Sequence, residues 1–348
     1  MKILLNGGKI EDQNLIIVGS FLKAFKSIGH AVEFFPVMGF YNEKLDMFRN
    51  RYIRGLVHRV FWRLLCRSLN ERFLIRIADF KPDLIFVYKG WHISPKTLAT
   101  IKKKWPKIPL FCFNPENPFS LWNFSYSNPW MLKSIPLYDV YFTWGKFMIN
   151  KIKKAGAKRI EYLPLGFDSA YNYPDESQNE AERRKYGSDI AFVGSWDKER
   201  EGWLNHLVSF DLKIWGVGWN NANKKLKSKW QNIGDDFPKI CGASKIVLDI
   251  LRRQMQPGNS LKTFEVPACK GFLMCNWGGE VYDFFEEGKE IVTFTDPEDM
   301  IKKIKFYLTR DDLRKKISEA AYKRVQDYSY MNRTRQILDV YDDFIKSK

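Results

Sequence analysis

The sharpest chemical arrangement in the sequence is a cation and a carboxylate three residues apart, Lys262 and Glu265, just before a small-residue turn. At i and i+3 the two share one face of any helix that opens there. A lysine so placed can neutralise a phosphate while the carboxylate accepts hydrogen bonds from vicinal hydroxyls such as those of a ribose. Each charge-assisted bond of that kind is worth roughly 1.5–3 kcal/mol. The same spacing also describes an ordinary surface ion pair, worth about 0–1 kcal/mol. Upstream, Arg252, Arg253, Asn259 and Ser260 lie on a loop that follows a strand end. Ligands of open α/β sheets sit beyond the carboxyl ends of strands, so this loop is placed for binding. Asn259 and Ser260 either touch phosphate or sugar or cap the helix that carries Glu265.

Two glycine turns follow the first strands of the two halves, Asn6-Gly7-Gly8 and Gly194-Ser195. Such turns let backbone N–H groups approach an anion, with about half a positive charge from a following helix N-terminus. Neither is a dinucleotide fingerprint or a P-loop, and a tight strand-to-helix turn needs glycine equally. Residues 47–80 carry eight arginines interleaved with Phe61, Trp62, Leu64 and Leu65, and Arg59, Arg63 and Arg67 repeat every four residues. The pattern is an amphipathic helix with a basic stripe. It suits an anionic membrane surface, a phosphorylated acceptor, a nucleic acid backbone, or plain packing on the first half. Trp122, Phe124, Tyr126 and Trp130 form an aromatic loop able to stack on a sugar or line an apolar wall.

The elements that must hold these residues alternate between short apolar runs and helical patterns, which predicts parallel sheets covered by helices. Strands are expected at 2–5, 30–36, 82–88, 108–113, 138–143 and 160–163, with helices at 14–28 and 95–104. A second series starts at 190 and continues through 212–215, 246–250, 271–275 and 290–294, followed by helices to the end. The polar stretch 171–187 has a linker's composition. Two similar halves around a linker imply a cleft between them.

With 348 residues there is room for two domains, and 45% apolar with 16% aromatic residues excludes a disordered chain. A formal net charge of +17 calls for anionic partners. The start, MKILLNGGK, runs straight into a strand, and no run of about 20 apolar residues follows. The expected location is the cytoplasm, free or at the inner face of the membrane. Five cysteines without C-x-x-C or histidine-linked spacing point to reduced core residues, with no metal site and no disulfide framework.

The run Lys262-Thr-Phe-Glu-Val-Pro-Ala-Cys-Lys-Gly-Phe-Leu-Met274, with Tyr282-Asp-Phe-Phe285 and a basic helical tail, resembles the CgeB-like glycosyltransferases. Asp189-Ile-Ala-Phe-Val-Gly-Ser195 followed by Arg200, Lys213-Ile-Trp-Gly-Val-Gly-Trp219, residues 138–144 and residues 162–168 agree with it. The resemblance implies the GT-B architecture: two Rossmann-like α/β domains facing a cleft, with a C-terminal helix crossing back to the first. The expected boundaries are 1–168, a linker at 169–187, a nucleotide-sugar domain at 188–326 and a returning helix at 327–348. It implies a hexosyltransferase using a nucleotide-sugar as substrate, no further cofactor, and a glycan or lipid-linked acceptor in polysaccharide biosynthesis; the absence of a recognisable D-x-D carboxylate pair adds the expectation of metal independence. Gly194, Ser195 and Arg200 become diphosphate contacts beside Asn259, Ser260, Lys262 and Glu265. Gly7, Gly8 and Trp122 fall on the acceptor side. An inverting reaction needs a base there, and Glu116 and His92, each just beyond a strand end, are the candidates.

One departure counts. Retaining members of the broad glycogen-synthase-like group carry two glutamates separated by seven residues, and Pro257 stands where the first belongs. Stereochemistry therefore stays open. So do two rivals: a nucleic-acid-modifying glucosyltransferase, and a non-catalytic polysaccharide- or nucleic-acid-binding protein on the same fold.

Overall fold

The computed structural model describes residues 1–8, 16–48, 50–119, 129–226, 228–230, 236–276 and 279–347. The chain divides into two compact units, Met1–Pro164 with Arg333–Lys348, and Leu165–Asn332.

In the first unit the elements are β1 (Lys2–Gly7), α1 (Ile16–Ser27), β2 (Ala31–Pro36), α2 (Val37–Asp46), α3 (Arg51–Phe80), β3 (Leu84–Tyr88), α4 (Pro95–Lys104), β4 (Leu110–Asn114), α5 (Pro129–Ser134), β5 (Val140–Thr143), α6 (Ile149–Lys154) and β6 (Ile160–Tyr162). The strands form one parallel sheet in the order β2-β1-β3-β4-β5-β6. LIFVY of β3 and LFCFN of β4 are buried along their whole length, as strands covered on both faces must be. Asn50 starts α3 by accepting the Tyr52 N–H at 2.9 Å, and Ser94 starts α4 by accepting the Thr97 N–H at 3.0 Å.

The second unit holds α7 (Glu180–Tyr186), β7 (Ile190–Val193), α8 (Lys198–Asn205), β8 (Leu212–Trp215), β9 (Ser228–Trp230), α9 (Phe237–Ala243), β10 (Ile246–Asp249), α10 (Lys262–Ala268), β11 (Leu273–Asn276), β12 (Val292–Phe294), α11 (Pro297–Leu308) and α12 (Asp311–Val325). Its parallel sheet runs β12-β11-β10-β7-β8-β9, the 3-2-1-4-5-6 order of a doubly wound fold counted from β7. Phe192, Ile214, Leu248, Met274 and Phe294 make its core together with Leu204, Met300 and Ile304 from the covering helices. The final helix, α13 (Tyr330–Lys346), sets Tyr341 and Phe344 against the ring of Phe111 in β4, at 6.4 and 5.8 Å.

Two features differ from the pattern expected of the sequence. The polar stretch 169–187 is no bare connector: it carries α7, whose Asn179 and Glu182 form a reciprocal capping box. The short edge strand β9 was not anticipated. All five cysteines are buried and free.

Candidate functional site

In the second unit β7 and β10 are neighbours, yet the chain leaves β7 toward β8 on one side and returns to β10 on the other. That divergence opens a crevice beyond their carboxyl ends, the usual ligand position of such sheets. The turn after β7 is pinned there. Gly194 N–H bonds the Trp215 carbonyl at 2.8 Å, and the Trp219 indole donates to the Gly194 carbonyl at 2.8 Å. Gly216, at φ 152°, passes so close that a Cβ would lie 2.1 Å from the Gly194 oxygen. Only glycine fits at that crossing.

Arg200 binds the two loops together. Its Nε donates to the Ile250 carbonyl at 3.0 Å and its Nη1 to the Ser195 carbonyl at 3.1 Å. Burial, then the charge of Arg252, pulls this guanidinium below the usual arginine range. Asp197 caps α8 through the Arg200 N–H at 2.9 Å and pairs with Arg252 at 3.2 Å. Arg252 also donates to the Ser195 hydroxyl at 2.7 Å. Its side chain is 39% exposed against 13% for Arg200. Arg252, not Arg200, presents the accessible guanidinium.

Lys262 and Glu265 open α10 as an ion pair of 2.7 Å, with side chains only 17% and 5% exposed. This is no surface bridge. Burial pulls the ammonium down, but the charge and hydrogen bond of Glu265, with Asp249, outweigh it and hold Lys262 above the ordinary lysine range. Ser260 organises the approach: its hydroxyl donates to Asp249 at 2.5 Å and accepts the Lys262 N–H at 3.0 Å. Burial raises the Asp249 carboxyl, opposed by that hydroxyl and by Arg200 and Lys262. Asn259 is fully buried, and neither atom of its amide has a hydrogen-bond partner. Of the two residues offered as caps, Ser260 satisfies the helix start and Asn259 does not.

In the first unit the corresponding divergence falls between β1 and β3. Gly7, which ends β1, and Gly8 after it are buried, and a Cβ on Gly7 would meet Val18 of α1 at 2.6 Å, so close helix packing accounts for that glycine. Beyond β3, Lys89 takes a left-handed backbone, φ 65°, and pairs with Glu116 beyond β4 at 3.0 Å. Asn114 steadies Glu116 by accepting its backbone N–H at 3.1 Å. His92 lies in the interior, its ring 4.4 Å from that of Tyr41. Burial, then nearby His58, pushes the imidazole down to about 3. A base that weak accepts no proton near neutrality, so Glu116 is the stronger candidate of the two. Trp122, with Phe124 and Tyr126, lies outside the described residues.

The structure thus brings Gly194, Ser195, Arg200, Asn259, Ser260, Lys262 and Glu265 to one edge of one sheet. Asp197 and Asp249 join these groups without having been singled out in the sequence; in the first unit, Lys89 does the same beside Glu116. Among the described residues no group of three or more histidines, cysteines or acids could hold a metal ion.

Residues 180–339 match the family described as glycosyl transferase-like. That match falls largely on the second unit, Leu165–Asn332. Among solved structures the whole chain is similar to sucrose-phosphate synthase from Thermosynechococcus elongatus, at 11% identity, TM-score 0.72 and full coverage of both chains. It is similar to a glycosyltransferase from Rickettsia africae, at 17% identity, TM-score 0.67, covering 100% of this chain and 99% of that one. It is also similar to HepE of Anabaena in complex with UDP and glucose, at 12% identity, TM-score 0.65, covering 99% and 100%. At these identities the likeness is one of fold, and the fold is GT-B: two Rossmann-like domains. No curated protein matches the sequence.

Proposed function

We propose that the protein is a glycosyltransferase that moves a sugar from a nucleotide-sugar to a glycan or lipid-linked acceptor without a metal ion. The observation that carries this reading is the Arg252–Ser195–Arg200 linkage across the β7/β10 switch point, with the buried Lys262–Glu265 pair beside it. HepE, which shares the fold, was solved with UDP and with UDP-glucose, which favours a nucleotide-sugar over other anions. Arg252 and Lys262 balance the leaving diphosphate, in place of a cation's Lewis acidity. Glu265 accepts from the ribose hydroxyls. The acceptor oxygen bonds to the anomeric carbon as the bond from that carbon to the diphosphate oxygen breaks. In an inverting reaction Glu116 takes the acceptor's proton, while Lys89 steadies its carboxylate. A retaining reaction leaves Glu116 without that duty.

The test is thermal stabilisation by UDP-, GDP-, dTDP- and CMP-sugars. A nucleotide at about a hundred times its dissociation constant adds about 2.7 kcal/mol. One nucleotide should stabilise the wild type, and Arg252→Ala should weaken it about 10- to 100-fold, the value of one charge-assisted bond. If no donor binds, and nucleic acid binds with an affinity that collapses between about 50 and 200 mM salt, the donor site is refuted.

A further inference from the structure

Helix α3 runs for 30 residues, about 45 Å, and its two faces are unlike. Trp62, Cys66, Leu69, Phe73 and Ile77 form the buried face, and Asn70 fastens it: the side-chain amide donates to the Cys66 and His92 carbonyls at 2.6 and 2.7 Å and accepts the Ser94 N–H at 2.8 Å. On the other face Tyr52, Ile53, Leu56, Val60, Phe61 and Leu64 are 49–78% exposed. At about 100° per residue, Tyr52, Leu56, Val60 and Leu64 drift across roughly a third of the helix surface, and Arg63 and Arg67 fall within the same arc. Exposed large apolar side chains spread over about 18 Å of a fixed helix mark a surface with a partner.

We infer that this face of α3 docks on a lipid bilayer surface rich in anionic headgroups. Arg51, Arg54, Arg59, Arg63 and Arg67 stand in the first 20 residues of the helix, with no acidic residue among them. Arg54 pairs with Asp46 at 2.8 Å, and Arg67 with Glu71 at 3.3 Å. Arg63 lies against the Trp62 ring at 5.6 Å. Guanidinium and apolar side chains on one arc fit the headgroup boundary, where apolar groups enter the acyl edge and cations meet lipid phosphates. A second copy laid on this face would set arginine against arginine with no carboxylate in that stretch to answer. A nucleic acid backbone would match the charge and leave six exposed apolar side chains without a use. No helix among the described residues is long and apolar enough to cross a membrane, so α3 lies on the surface and does not span. The inference stands apart from the donor site, and its test needs no nucleotide.

The experiment is flotation of the full chain with phosphatidylcholine vesicles and with vesicles in which about a third of the lipid is phosphatidylglycerol. Leu56→Ser/Leu64→Ser removes the apolar component and Arg63→Ser/Arg67→Ser the charge, all at exposed positions, with thermal melting and light scattering run beside them. Binding should favour the anionic vesicles and fall at least tenfold in each variant, since each arginine near such a surface is worth about fivefold in partition. Vesicle binding that both variants retain would overturn the assignment. So would no vesicle binding at all, whether accompanied by a dimer that Leu56→Ser/Leu64→Ser dissolves or by nucleic acid binding that Arg63→Ser/Arg67→Ser abolishes.

Discussion

His92 sits where a catalytic base would sit in the sequence, and its burial makes a quantitative claim against that role. In an unfolded chain its imidazole titrates at about 6.5; in the fold burial and His58 push it down to about 3. Between those values the unfolded state holds one proton more than the folded state, so stability falls as pH falls, by about 1.4 kcal/mol per unit. From about pH 6.5 to pH 5 the loss is therefore about 2 kcal/mol, and above pH 6.5 His92 contributes no slope. His92→Phe keeps the ring contact with Tyr41, 4.4 Å away, and removes the proton site. Urea unfolding of both proteins near pH 7 and pH 5 should show the wild type losing about 2 kcal/mol more than the variant. Histidine-selective NMR gives the direct reading: the His92 resonance should stay that of a neutral imidazole down to pH 5. A His92 resonance titrating near 6.5, or equal pH slopes in both proteins, would refute the reasoning and restore His92 as a candidate base.

The buried pair in α10 should behave as a unit: Glu265→Leu alone leaves the Lys262 ammonium without its partner and should cost about 3–5 kcal/mol, while Lys262→Met/Glu265→Leu should come close to wild-type stability and lose donor binding. Denaturant unfolding of the two singles and the double checks this. Gly216→Ala should cost at least about 2 kcal/mol, measured the same way, because its Cβ meets the Gly194 carbonyl oxygen from a left-handed backbone. Asn259→Leu should be neutral or stabilising in a melt, since the amide it removes is buried without a hydrogen bond and such groups cost about 1–3 kcal/mol. A fall in donor affinity in that variant would assign the amide to the ligand.

The sheets were legible because parallel strands buried on both faces are nearly continuous apolar runs: IAFV of β7 and IVLD of β10 have few other readings. β9 was not, since three residues at a sheet edge carry no such run. The capping box of α7 was present as Asn179-x-x-Glu182, hidden by a polar surrounding that reads as a linker. For the candidate site, the order of chemistry along the chain pointed to these loops but not to the part each side chain takes in their packing. Arg200 and Arg252 look alike in sequence. Only packing reveals that backbone carbonyls occupy one while the other keeps its guanidinium more than a third exposed. Lys89 and Glu116 stand 27 residues apart and meet because β3 and β4 are adjacent, which no local pattern encodes.

The three bonds of Asn70 join two things that chain order keeps separate, the long helix α3 and the loop that follows β3. The same amide holds the helix carbonyl of Cys66, the His92 carbonyl and the Ser94 N–H, so neither partner can shift without breaking a buried hydrogen bond. Mechanically, α3 is a lever whose pivot lies against the segment leading from Lys89 to α4. Hydrogen exchange at the Ser94 amide gauges that joint directly, and Asn70→Ala should release it while leaving the two ends of α3 as they were.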